Sequence, residues 1–333
     1  MTQQSEPSIA VIGAGAWGTA LANAAAVAGC RVTLWARDAA QIENMRRERS
    51  NQARLPDVPL HDRVTPEASL QAAVADAQAV LLVVPAQTVA QLAKALQPVL
   101  PHGVPVIICA KGIDRASGHF MSEVVQQALA GVPVMVLSGP SFALDVGLGL
   151  PTAVVLAGRD EAACKALAGT LSSPSFRVYH SNDVRGVEIG GAAKNVLAIA
   201  AGIVAGRGLG ESARAALTAR GFAELLRFSH AFGGRPETLM GLSGLGDLVL
   251  TCASDKSRNF AFGLALGRGA SVEQASGGKL AEGALTAAVL VGMARSKGVD
   301  MPIAEAVNAV LEGLCGIDEA VAGLMSRPLK AEH

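Results

Sequence analysis

IAVIGAGAWGTALA, residues Ile9–Ala22, decides how the chain is read: an apolar run meets three spaced glycines and passes into small, helix-favouring residues. Gly13, Gly15 and Gly18 stand in the spacing G-x-G-x-x-G, with Ala14, Ala16 and Trp17 between them. That spacing alone is weak in a chain with 37 glycines. Placed directly after a strand and at the start of a helix, it reads as a dinucleotide-binding turn. Gly13 permits the tight turn, Gly15 lets the backbone approach a pyrophosphate, and Gly18 lets helix and strand pack closely. The helix N-terminus then offers N–H groups and a partial positive charge to the phosphates.

Outward from this turn the first half alternates between apolar runs and helical stretches. Ser8–Ile12, Arg31–Trp35, Ala79–Val84, Val104–Ala110, Val132–Leu137, Thr152–Ala157 and Phe176–His180 read as strands. Continuous Val/Ile/Leu runs are what burial on both faces of a parallel sheet requires. The order predicts an α/β, doubly wound Rossmann-type domain with right-handed crossovers. After Asn182 no comparable strand follows. Val184–Gly206, Ser212–Phe232, Asn259–Gly267, Ala281–Lys297 and Ile303–Leu314 read as helices, several closed by glycine. The expected division is residues 1–183 for the dinucleotide and residues 184–333 as an all-helical catalytic domain. Gly233–Gly246 and Ser271–Gly283 read as loops at a site.

Composition narrows the function. The 333 residues suit two domains, and 50% are hydrophobic, enough for real cores. Lys plus Arg and Asp plus Glu number 28 each, and the aromatic residues are 8 Phe, 2 Trp and 1 Tyr. Neither a basic field nor a set of stacking platforms for nucleic acid is available. The apolar runs Val196–Ala205 and Ala284–Ala294 fall short of the roughly 18 residues of a membrane span, so no membrane insertion is expected. MTQQSEPS lacks the pattern of a secretory signal. Five scattered cysteines without CxxC spacing predict reduced thiols in a cytoplasmic protein, and no metal motif occurs.

Cofactor choice rests on the end of the second strand. A carboxylate there would bind the ribose 2′-hydroxyl of NAD; the position is the neutral Ala36, and Arg37 follows. A guanidinium beside a vacated acidic position suits a 2′-phosphate, which favours NADP(H). Asp38 could turn inward instead, so NAD(H) stays open.

Lys194 is the most informative single residue. In IGGAAKNVLAIAAGIVA, Ile189–Ala205, only Lys194 and Asn195 are polar. A helix apolar all round is a buried helix, and an unpaired ammonium there is costly or gives up its proton. Such a lysine suits general acid/base chemistry. Gly190 and Gly191, one turn earlier, allow close approach by a ligand or another backbone. Lys111 ends the strand Val104–Ala110, and the turn Gly139–Ala143, with Ser141, ends the next; ligands bind beyond such strand ends. Asp247 closes the turn SGLGD. Ser257, Arg258 and Asn259 open a helix and read either as an anion clamp or as a capping cluster. Gly277–Gly283 reads as a closing loop or a linker. The six histidines fall in no triad-like or metal-like spacing, and Cys252 reads as core filling.

Together these stretches resemble the NAD(P)-dependent glycerol-3-phosphate dehydrogenases of bacteria. The resemblance is carried by the opening Ile9–Ala22, VVP (Val83–Pro85), AKGI (Ala110–Ile113), LSGPSFA (Leu137–Ala143), GGAAKNVLAIAAG (Gly190–Gly202), GLSGLGDLVLTC (Gly241–Cys252), Ser257–Asn259 and AEG (Ala281–Gly283). It implies reduction of dihydroxyacetone phosphate by NAD(P)H to sn-glycerol 3-phosphate, reversibly, for phospholipid synthesis. It implies that Lys194 is the acid/base, that Lys111 contacts substrate and cofactor, and that Asp247 orients the lysine or a substrate hydroxyl. Gly139 and Ser141 would border the substrate. Ser257, Arg258 and Asn259 would hold its phosphate, with Arg258 also near the cofactor. Gly13, Gly15, Ala16, Trp17, Gly18 and Arg37 would line the dinucleotide, Ala143 its nicotinamide side, and Leu280 and Glu282 its far rim. Ala193 stands where a larger aliphatic residue is expected, and Arg54 where an aromatic is. The competing readings are a hydroxy-acid or ketopantoate-type reductase of similar plan, in which Arg258 holds a carboxylate, and a non-catalytic dinucleotide sensor. The expected partner is the small-molecule substrate, and the apolar helical domain permits a homodimer without requiring one.

Overall fold

The computed structural model describes residues 6–278 and 281–328. The chain divides into two compact units, Met1–Glu188 and Ile189–His333.

The first unit is built on an eight-stranded sheet. Its strands are β1 (Ser8–Ile12), β2 (Arg31–Trp35), β3 (Val64–Glu67), β4 (Ala79–Leu82), β5 (Val106–Ile108), β6 (Val134–Ser138), β7 (Thr152–Gly158) and β8 (Phe176–Ser181). The order across the sheet is β8-β7-β6-β5-β4-β1-β2-β3. Successive side chains enter different cores. Ile9 and Val11 join one apolar cluster with the helix Ala16–Val27, while Ala10 and Ile12 join another with the helices Val89–Leu96 and Met121–Ala128. Burial on both faces is why these strands are apolar without alternation. Strand order reverses beside β1, where β2 lies on one side and β4 on the other. Ile12, Leu82 and Ile108 are in register, so the turns after β1, β4 and β5 leave from one sheet edge.

Two features differ from the sequence reading. β6 and β7 are antiparallel, and β8 runs parallel to β7, so the last two strands oppose the other six. The link from β6 to β7 carries only the five-residue helix Ala143–Gly147. At about 1.5 Å per residue such a helix cannot carry the chain back along a five-residue strand. The edge strand β3 and a small hairpin, Ser50–Asn51 with Leu55–Pro59, have no apolar run to announce them.

The second unit is helical throughout its described residues. The helix Val184–Gly206, here the lysine helix, supplies its central rod and is almost continuously buried. By length and composition it could cross a membrane, which the shorter runs counted from the sequence did not indicate. In the fold, 89% of its most apolar window is buried in protein. The helix Arg258–Gly267 packs on it backbone to backbone. A Cβ on Gly202 would stand 2.1 Å from the Phe260 carbonyl oxygen, and one on Gly263 would stand 2.1 Å from that of Ile199. Gly206 and Gly267 repeat the contact one turn on, at 2.3 and 2.5 Å. The stretch 233–246, expected as a loop, contains the helix Pro236–Met240 and a π-helical turn Leu242–Gly246. The stretch 271–283 contains the helix Val272–Ser276.

Candidate active site

In the first unit the glycine-rich turn leaves β1 at the point where strand order reverses, the usual place for a ligand in an open α/β sheet. Gly13 has φ +121°, and a Cβ there would stand 2.2 Å from the Val83 carbonyl oxygen. A Cβ on Gly18 would stand 1.8 Å from the Gly13 carbonyl oxygen. These glycines are forced by the protein's own backbone. Gly15 is different: a Cβ there would meet nothing within 4 Å. It is the N-cap of the helix Ala16–Val27 and has no side-chain cap. Space over an uncapped helix N-terminus fits a pyrophosphate. Trp17, in the first turn of this helix, has a buried Nε1 with no hydrogen-bond partner.

Further along the edge, Ala36 is buried and Arg37 is exposed. Asp38 does not turn toward a ribose. Its carboxylate caps the helix Ala39–Glu48, accepting from the N–H groups of Ala40 and Gln41 at 2.9 and 3.4 Å. Lys111 lies beyond β5 and donates to the Gly139 carbonyl at 2.9 Å. The Ser141 hydroxyl donates to the same oxygen at 3.0 Å. Gly139 has φ +151° and lies against the Val154 backbone. Ala143 begins the short helix Ala143–Gly147 and is half-buried.

In the second unit Lys194 is 5% exposed and Asp247 1%. The Lys194 ammonium makes a short ion pair with Asp247 and donates to the Thr251 hydroxyl at 2.8 Å. The hydroxyl donates in turn to the Asp247 backbone carbonyl at 2.5 Å. Asp247 and Thr251 are four apart on the helix Asp247–Cys252, so they share a face. That helix begins where the π-helical turn ends, and the turn is pressed onto the lysine helix: a Cβ on Gly190 would stand 2.4 Å from the Ser243 carbonyl oxygen. The ammonium is thus buried but paired, and the carboxylate offsets its desolvation. Thr251 escaped the sequence reading; the signal available was its position one turn after Asp247.

The Ser257-Arg258-Asn259 cluster is partly structural. The Ser257 hydroxyl accepts the Phe260 N–H at 3.2 Å as an N-cap. Asn259 Oδ1 accepts the Gly283 N–H at 2.8 Å, and its Nδ2 donates to Asn195 Oδ1 at 3.0 Å. The amide therefore ties the start of the helix Glu282–Ser296 to the residue after Lys194. Arg258 alone of the three is exposed, at the N-terminus of its helix. Glu282 is half-buried at the start of its own helix, and Leu280 lies outside the described residues.

Burial pushes the Cys252 thiol up to about 12, against the pull of Lys194 and Arg214, so it is no nucleophile. Burial also pushes Glu188, near the start of the lysine helix, up to about 7, against two bonds from Ser122 and the nearby Arg185. Among the described residues no group of three or more His, Cys, Asp or Glu converges as a metal would require.

Residues 8–164 match the family described as NAD-dependent glycerol-3-phosphate dehydrogenase N-terminus, and residues 183–322 match its C-terminus. The chain is 62% identical to glycerol-3-phosphate dehydrogenase [NAD(P)+] of Methylobacterium radiotolerans, over 98% of this chain and 99% of the relative. It is 60% identical to the protein of the same name from Azorhizobium caulinodans, over 97% and 98%. Among solved structures, the glycerol-3-phosphate dehydrogenase of Coxiella burnetii superposes with a TM-score of 0.92 at 38% identity, covering 97% of this chain and 99% of that one.

Proposed function

The chain belongs to the NAD-dependent glycerol-3-phosphate dehydrogenase family, and on that premise we propose that it interconverts dihydroxyacetone phosphate and sn-glycerol 3-phosphate with Lys194 as the acid/base. It is an NAD(P)H-dependent oxidoreductase whose product feeds glycerophospholipid synthesis. The observation that carries the assignment of roles is the Lys194 ammonium, buried and held by Asp247 and Thr251.

The bound nicotinamide supplies the hydride. The residues of this chain have three tasks. The first is to manage charge on the carbonyl oxygen. As the ketone is reduced, its oxygen gains negative charge; Lys194 stabilises that charge and delivers a proton to it. In the opposite direction, the neutral amine accepts the proton of the alcohol. Asp247 and Thr251 keep the nitrogen aimed and stabilise its charged form. Burial strengthens these interactions, because little water screens them.

The second task is to hold the phosphate. Arg258 offers an exposed planar guanidinium at the Ser257-capped start of its helix, which suits a phosphate dianion. Binding energy from this remote group can be used to orient the carbon that reacts. Lys111, steadied by the Gly139 carbonyl, adds a second ammonium for substrate and cofactor. The third task is to hold the dinucleotide, through the Gly13–Gly18 turn. NADP(H) is favoured, because Ala36 is neutral, the Asp38 carboxylate is engaged as a cap, and Arg37 is exposed for a 2′-phosphate.

The test is oxidation of NADPH and NADH followed by absorbance, with dihydroxyacetone phosphate and, separately, ketopantoate. Dihydroxyacetone phosphate should be reduced. Consumption with the keto acid alone would transfer the protein to the competing reductase class. Lys194→Ala should lower turnover about 10²–10⁴-fold while NADPH affinity stays within about tenfold. Undiminished turnover in this variant would end the assignment.

A further inference from the structure

The glycine-rich turn is gripped from below by a residue that no motif flags. Asn51 lies on the hairpin strand Ser50–Asn51 and is 1% exposed. Its Nδ2 donates to the Ala14 carbonyl at 3.1 Å and to the Thr19 hydroxyl at 2.8 Å. Thr19 passes the contact on, donating from Oγ1 to the Gly15 carbonyl at 2.9 Å. Gln41 adds a second amide donor to the Ala14 carbonyl at 2.8 Å and another to Asn51 Oδ1 at 3.2 Å. One buried amide therefore holds the Ala14 carbonyl directly and reaches, through a hydroxyl, the Gly15 carbonyl, which also accepts the Thr19 backbone N–H at 2.9 Å.

The consequence follows from peptide geometry. In a trans peptide the C=O and the next N–H point in opposite directions. Fixing the Ala14 carbonyl toward Asn51 and Gln41 aims the Gly15 N–H the other way. No glycine can hold this orientation unaided, because glycine is the residue with the freest backbone. A peptide that flips at Ala14 would present an oxygen, not a donor, to a phosphate.

We propose that Asn51 is the positioning residue of the dinucleotide turn, orienting the Ala14–Gly15 peptide so that its N–H faces the pyrophosphate. This rests on the dinucleotide reading above. Asn51 touches neither substrate nor nicotinamide; its effect is on pyrophosphate affinity and not on the chemical step. Thr19 and Gln41 act through the same carbonyls.

The experiment titrates the full-length protein with NADPH and with adenosine 2′-monophosphate, which lacks the pyrophosphate. Asn51→Asp keeps the shape but replaces the donor by an oxygen facing the Ala14 carbonyl. It should raise the Kd for NADPH at least about tenfold and leave that for adenosine 2′-monophosphate within about twofold, with kcat at saturating NADPH little changed. Thr19→Val should weaken NADPH selectively, while Thr19→Ser, which keeps the hydroxyl, should restore it. These Thr19 variants decide the matter if Asn51→Asp does not fold. Equal loss for both ligands would reduce Asn51 to a structural residue, and an unchanged NADPH Kd would refute the proposal outright. Should the unaltered protein bind neither NADPH nor NADH, the dinucleotide reading itself fails and takes this proposal with it.

Discussion

Replacing Glu188 by Gln should stabilise the first unit above neutral pH and leave it unchanged in acid. The Glu188 carboxyl accepts the Ser122 N–H and faces the Ser122 hydroxyl, both at 2.7 Å. Arg185 lies 3.8 Å away, but its closer bond, at 2.6 Å, is to Glu123. Burial wins over these partners and lifts Glu188 from 4.5 to about 7. Below 4.5 the group is neutral folded or unfolded. As pH rises, the unfolded chain releases its proton first, so stability falls through the window up to about 7 and is level beyond it. At about 1.4 kcal/mol per pH unit, the full loss is about 3 kcal/mol. Gln can accept from the Ser122 N–H and donate to its hydroxyl, and it carries no charge to bury. Urea denaturation from acid to mildly alkaline pH measures the difference. Trp17 and Trp35 are the two tryptophans and both lie in the first unit, so their emission reports the part that holds Glu188. The difference between variant and parent should grow from near zero in acid to about 3 kcal/mol above pH ~7. Parallel curves, or a variant weaker than the parent at alkaline pH, would refute the reasoning.

Three further outcomes can be checked on single variants. Glu224 accepts the N–H groups of Ile303 and Ala304 at 2.8 and 3.3 Å, at the start of the helix Pro302–Leu311. Glu224→Gln offers one acceptor for two donors and should cost about 1–3 kcal/mol in acid, read as a lower urea midpoint by circular dichroism; because burial lifts Glu224 to about 7, the cost should shrink as pH rises toward that value. Gly263→Ala puts a methyl 2.1 Å from the Ile199 carbonyl oxygen and should cost at least about 1–3 kcal/mol, with a depressed melting temperature; an unchanged melt would show that the two helices yield. Arg258→Ala should reduce kcat/KM for dihydroxyacetone phosphate at least about tenfold more than for unphosphorylated dihydroxyacetone, and an equal loss for both would remove the phosphate role.

The sheet was legible because its strands are buried on both faces and so announce themselves as unbroken apolar runs. The same runs say nothing of direction. β7 is as apolar as β6, and only the shortness of the link between them turns it round. β3 was not legible, since Val64–Glu67 contains Pro66 and sits at an edge, where side chains need not be apolar. Lys194 stood out because a charge among alanines, valines and isoleucines has no place in a buried helix unless something pairs with it. The geometry of its partners could not be read in the same way: Thr251, 57 residues away, belongs to an ordinary-looking helix. Asn51 left no trace either, because its partners, the Ala14 carbonyl, Thr19 and Gln41, lie 10 to 37 residues away in the chain with no fixed spacing that a pattern could reveal.

The glycines of the second unit bear on specificity as well as stability. Lys194 would act on the carbonyl oxygen and Arg258 on the phosphate, so the substrate's length is measured by the separation of these two residues. That separation is set by the lysine helix and the helix Arg258–Gly267, which meet through Gly202, Gly206, Gly263 and Gly267 with backbone against backbone. Side chains between two helices can change rotamer and let them slide; backbone atoms in contact cannot. The Asn195–Asn259 bond fixes the rotation of one helix about the other beside the two functional residues. A displacement of about 1 Å is enough to cost a hundredfold in rate. The glycine contacts therefore act as a ruler, and a methyl added there should impair turnover of dihydroxyacetone phosphate even in a variant that still folds.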